Sequence, residues 1–244
     1  MKVNSTAILK MLLYIGIFFP LLPLVFFFLF KLNSHQKTLR VILFYILYCI
    51  ANEALSYYLQ KIRSEYFLYF LYSVTVIEYS FFCYFIYLVL PENFIKRLVP
   101  FLWAFFIIFT IVDYFLYNTG KEFDSFSIGI ETIIVIALCA YYLFSQVKGS
   151  NSLLIYSTFN FWVTITFLFY VSGTFFLYLF FDRMVKNPEF QKVYFIINIS
   201  FNIFKNILLC VAMTMKAEKS VNYPANKRDH FPDLGDDFLI HAKN

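Results

Sequence analysis

Residues 195–215 read FIINISFNIFKNILLCVAMTM, an apolar run with a lysine, Lys205, at its middle. About 20 apolar residues cross the hydrocarbon core of a bilayer as a helix. A lysine at the centre of such a helix costs about 3 kcal/mol on insertion scales, so it faces the interior of a bundle and takes a partner there. The stretch therefore predicts a helical membrane bundle with a polar site inside it.

The rest of the chain agrees. Of 244 residues, 61% are hydrophobic and only 14% charged, far more apolar than a soluble domain. Runs at 8–30, 40–60, 66–90, 98–117, 125–147, 152–181 and 193–215 predict an all-α, seven-transmembrane-helix bundle over residues 1–216. Residues 11–30 carry no charge and exceed the length of a signal-peptide core, so they are expected to remain as the first span. Pro20 and Pro23 should kink or break that helix. The connections, LNSHQK and PENFIKR among them, are too short to hold a folded domain. Residues 217–244 turn polar and mixed in charge, which predicts a flexible or peripheral tail, with docking of a cytoplasmic signalling partner as the alternative role.

Seven spans put the termini on opposite sides. The N-terminal side collects eight Lys and Arg and the opposite side ten, leaving out the distant Lys243. The positive-inside rule thus favours the N-terminus out and the C-terminus in, across a bacterial inner membrane. The net charge of +5 is dispersed at helix ends, with no basic patch of the kind that binds nucleic acid.

Chemistry is confined by what is present. His35, His230 and His241 lie in a loop or the tail, so a buried metal cluster or a Ser-His triad lacks material, and no cofactor motif occurs. Cys49, Cys83, Cys139 and Cys210 stand singly in apolar runs and read as packed free thiols.

Four acidic residues fall within or at the edge of the spans: Glu53, Glu78, Asp113 and Glu131. From the helix rise, Glu53 and Glu131 lie about 10 Å from the N-terminal side, while Glu78 and Lys205 are both about 18 Å deep. Matched depth makes Glu78 and Lys205 the expected ion pair between helices 3 and 7. Asn198, Asn202 and Lys205 share one face of helix 7 by their i, i+4, i+7 spacing. Tyr45, Cys49 and Tyr57 lie along the Glu53 face of helix 2, and Ser172 and Gly173 of helix 6 are at similar depth. After one pair, Glu53 and Glu131 remain, and a buried carboxylate is costly without a cation or water. The candidate ligand-binding set is Glu53, Glu78, Glu131, Asn198, Asn202 and Lys205, in a net acidic cavity between helices 2, 3, 5 and 7 that opens to the N-terminal side.

A lysine central to helix 7 resembles microbial rhodopsins, but Phe201 stands where their pattern has an aspartate, and Trp162 lacks their aromatic-proline context. Seven helices in this length also resemble three-plus-one-plus-three sugar transporters, yet helices 2, 5, 6 and 7 contain no proline and the two halves share no polar pattern. The stretches IANEALSYYL (50–59), VIEYSFFCYFIY (76–87), FNFWVTITFLFYVSGTFF (159–176) and FNIFKNILLCVAM (201–213) resemble small seven-helix inner-membrane proteins of bacteria, especially Bacteroidota. That resemblance implies no activity; an association of such proteins with sensor kinases implies a signalling role. The expectation is a receptor or sensor whose cavity takes a small polar or cationic ligand or protons. A transporter of a small solute or ion is the alternative, and an intramembrane acid-base enzyme on a lipid-like substrate comes third.

Overall fold

The computed structural model describes residues 14, 16, 18–31, 36–62, 66–115, 125–149, 155–179 and 188–215. Among these are seven α-helices: α1 Leu21–Phe30, α2 Lys37–Lys61, α3 Phe67–Val89, α4 Phe94–Asp113, α5 Ser125–Gly149, α6 Phe159–Leu179 and α7 Pro188–Thr214. Six of them are long and apolar enough to cross a membrane. The protein is a multi-pass, all-α membrane bundle. α1 is the short exception, because the chain turns at Phe19 and Pro20 before α1 begins at Leu21. Pro20 has no N–H to continue a helical ladder, so the expected break falls there. Residues 8–13, 15 and 17 of the expected first span, and the tail beyond Met215, lie outside the described residues.

Beyond α1, the starts of α4, α6 and α7 move furthest from the expected ones, each for a local reason. α4 starts at Phe94 rather than at 98, since the Asn93 side chain accepts a hydrogen bond from the Lys96 amide at 2.9 Å and caps the helix. Lys96 and Arg97 are thereby inside the helix instead of in the preceding loop. α6 starts at Phe159 rather than 152, behind a single 3₁₀ turn at Ile155–Ser157. α7 starts at Pro188, where a proline in the first turn loses no helical hydrogen bond.

Each helix packs against the next in sequence, and α7 returns to α1, so the seven close into a ring. α3 leans across it and also touches α5 and α6. Lys31, buried just past α1, donates its ammonium to the carbonyl of Met215 at the end of α7, tying first and last helices on the C-terminal side. A cation at a helix C-terminus is electrostatically favoured.

Inside the ring the core is aromatic. Phe167 of α6 lies 4.4 Å from Phe82 and 5.4 Å from Phe85 of α3, and 5.5 Å from Tyr45 of α2, centroid to centroid. Between membrane helices, packing of this kind drives association where lipid supplies no hydrophobic contrast. All four cysteines are free and buried, as expected. Gly173 of α6 makes room for a side chain of α7: a Cβ there would meet the Phe201 ring at 2.0 Å.

Candidate functional site

α2, α3, α6 and α7 converge on Lys205, whose side chain is only 4% exposed. Its Nζ lies 3.8 Å from Glu78 Oε1, so the pairing expected from matched depth is present. Tyr45 of α2 donates its hydroxyl to the same Oε1 at 2.7 Å, a tighter contact than the lysine makes. The ammonium also sits 4.0 Å from the centroid of Tyr170 and 5.6 Å from that of Tyr45. Aromatic faces attract a cation more strongly when both are desolvated. The Cys49 sulfur, a weak acceptor, is 4.0 Å from Nζ.

Glu53 follows Cys49 by one helical turn on α2, half-buried, and lies within electrostatic range of both Lys205 and Glu78. Two carboxylates thus share the field of one buried ammonium. At an effective dielectric near 20, unit charges about 4 Å apart interact by about 4 kcal/mol. That figure applies to Glu78, the carboxylate within 4 Å of the ammonium; Glu53 acts on it from farther along α2.

Glu131 takes a different place. It is buried on α5 within electrostatic range of Tyr79 and Cys83, on the α3 side of the bundle, and Tyr48 of α2 feels both it and Glu78. One turn before it, Ser127 donates to Asp113 of α4 at 3.2 Å. Helix 6, through Tyr170, contributes directly to the lysine, beyond the expected helices 2, 3, 5 and 7. Nothing in the spacing of a chain with 20 tyrosines distinguishes Tyr170; the usable signal was its depth, two residues from Ser172.

Asn198 and Asn202 lie on the N-terminal side of Lys205 and are half-buried. Asn202 donates to the Asn198 carbonyl at 3.3 Å, and Asn206, which the spacing did not single out, donates to the Asn202 carbonyl at 2.9 Å. Side-chain amides bonded to their own helix leave their oxygens for other partners. Among the described residues, the buried oxygens Asn198 Oδ1 and Asn52 Oδ1 have no hydrogen-bond partner. An acceptor buried in this way is costly unless water or a ligand donor meets it.

The site is one-sided. Toward the C-terminal side, Tyr45, Phe82 and Phe167 close over it as a packed aromatic layer, and α7 continues with buried Leu208, Leu209 and Met213. Toward the N-terminal side lie Glu53, Asn198 and Asn202. In comparisons with known proteins, no family model, no curated protein and no solved structure matches the chain.

Proposed function

We propose that this membrane protein is a receptor or sensor whose switch is the buried Lys205, and whose input is a proton or a small cationic ligand arriving from the N-terminal side. The supporting observation is that Glu78 Oε1 is held at 2.7 Å by Tyr45 while Lys205 stands off at 3.8 Å, with Glu53 within electrostatic range as a second carboxylate. Neutralising or occupying Glu78 weakens its hold on the ammonium and favours Glu53; doing so at Glu53 has the opposite effect. Each arrangement sets α7 differently against α2 and α3, which is a two-state element that a ligand biases by its differential affinity.

The orientation proposed is N-terminus out and C-terminus in, across a bacterial inner membrane. α7 leads directly into residues 217–244, so a shift of α7 would reach a cytoplasmic signalling partner docked there. Resemblance to seven-helix proteins associated with sensor kinases favours the same output.

The test is thermal unfolding of the purified protein across pH and with tetramethylammonium, a cation suited to the tyrosine faces at the site. The wild type should shift with one or both inputs, and the Glu53→Gln/Glu78→Gln double variant with neither. A wild type indifferent to both would remove the proposal. Uptake of solute into proteoliposomes would instead favour transport, which requires the Tyr45, Phe82 and Phe167 layer to part.

A further inference from the structure

A second feature lies on the outside of the bundle, at the opposite depth from the Glu53 end of the site. Among the six described helices long enough to span a membrane, α4 is the least covered by protein: 17% of its apolar stretch is buried, against 50% for α6. Between α4 and α3 runs a groove of about 480 Å³, a size typical of sites that hold a ligand.

Helical periodicity makes the groove from two regular ridges. Ser80, Tyr84 and Tyr87 recur at i, i+4, i+7 on α3 and face Pro100 and Trp103 of α4. Buried Cys83 and Val99 form its back wall. Pro100, having no N–H, denies the Lys96 carbonyl its usual helical partner beside this slot.

The two ends of the groove differ in chemistry. At the inner end Trp103 donates its Nε1–H to Ser80 Oγ at 2.9 Å. Trp103 is about 14 Å along α4 from Phe94, deep for a residue type that favours the head-group level. At the outer end Lys96, on the same α4 face as Val99, Pro100 and Trp103, stands 5.2 Å from the Tyr87 ring centroid. Exposed Arg97 is the next residue along, and Glu92 is the only carboxylate the described residues pair with Lys96, so the segment from Glu92 to Arg97 carries two cations and one carboxylate. An apolar slot running inward from a net positive, head-group-level mouth complements one kind of molecule in a bilayer.

We propose that the α3–α4 groove is a binding site for an anionic phospholipid of the membrane the protein spans. One acyl chain lies between the tyrosines of α3 and Pro100, reaching Trp103, and the phosphate meets Lys96 and Arg97. The observations that carry this are separate from those behind the Lys205 switch, and either proposal stands if the other fails.

Quenching of tryptophan fluorescence by brominated lipid tests it. Trp162→Phe leaves Trp103 as the sole tryptophan of the 244-residue chain. Reconstituted in phosphatidylcholine vesicles, this protein should be half-quenched at about a five-fold lower mole fraction of chain-brominated phosphatidylglycerol than of chain-brominated phosphatidylcholine, the factor expected from one added basic contact. Adding Lys96→Gln and Arg97→Gln should equalise the two lipids while Trp103 stays quenchable. The converse protein, Trp103→Phe, should show no lipid preference at Trp162. Equal quenching by both lipids in the Trp162→Phe protein, or a preference that survives removal of Lys96 and Arg97, would overturn the proposal. Elution as a single species and an unchanged helical circular-dichroism spectrum establish that each variant is folded before it is read.

Discussion

Lys205 and Lys96 are built from the same parts and placed in opposite settings. Each ammonium has a glutamate beside it and a tyrosine ring near it: Glu78 and Tyr170 for Lys205, Glu92 and Tyr87 for Lys96. By distance the outer pair is the closer, 2.7 Å against 3.8 Å. By burial the order reverses, since the Glu92 side chain is 85% exposed and the Glu78 side chain 16%. Water screens an exposed pair until it contributes little, while a buried pair cannot lose one member without leaving a charge stranded. Surroundings, more than contact length, therefore decide what each pair does. The inner one holds four helices in a particular arrangement, and the outer one marks a surface.

The sharpest way to break this contrast is Lys205→Met. It strands Glu78 and Glu53 together and should cost about 3–5 kcal/mol, read as a large fall in the thermal unfolding midpoint in detergent. Glu78→Gln should cost less, because Glu53 remains within electrostatic range of the lysine. A Lys205→Met variant that melts with the wild type would mean that the buried ammonium has no structural partner.

Gly173→Ala should disturb the inner site without touching any of its charges. Its new Cβ collides with the ring of Phe201, one turn before Lys205, and pushes apart the helices that put Tyr170 over the ammonium. Overpacking of this sort costs about 1–3 kcal/mol. The Gly173→Ala/Phe201→Ala double variant should be less destabilised than the sum of its singles, measured as a double-mutant cycle; strict additivity would show that the two residues do not meet.

Tyr45→Phe removes one hydrogen bond and keeps the ring in the aromatic layer. Measured interhelical hydrogen bonds in membranes reach at most about 1.7 kcal/mol, and a charged acceptor places this one near that top. A loss of about 1.5 kcal/mol is expected in the same unfolding assay. An unchanged midpoint would instead point to Lys205 closing on Glu78 once the tyrosine hydroxyl is gone.

Much of this was legible in the sequence because membranes impose simple rules. Apolar run length gave the helices, and equal depth alone paired Glu78 with Lys205 across more than a hundred residues. Tyr45 and Cys49 followed from the Glu53 face of helix 2. What was not legible depends on rotation about helix axes, which run length does not specify. That is why spacing alone does not show that Glu131 lies within electrostatic range of Tyr79 and Cys83 of α3, or that Tyr170 sits over the ammonium. The α4 boundary was missed for a different reason. Lys96 and Arg97 looked like a loop, but a cap at Asn93 and long side chains that reach the interface let a helix begin among charges.

Glu92→Gln is the smallest expected change and completes the contrast. The Lys96–Glu92 pair is an i, i+4 contact across the start of α4, with Glu92 in solvent, worth about 0.2–1 kcal/mol. Glu92 also precedes the helix start, where a negative charge adds a further 0.3–1 kcal/mol or so at low salt. Both contributions fade at high ionic strength, since the screening length drops to about 3 Å at 1 M salt. The variant should thus melt slightly below the wild type in dilute buffer and with it at 1 M salt. Its lipid behaviour should move the other way, because losing the carboxylate that pairs with Lys96 frees that ammonium and strengthens the preference for brominated phosphatidylglycerol at Trp103. A loss as large as that of Lys205→Met, unaffected by salt, would show that the outer pair is as sheltered as the inner one and that exposure does not separate them.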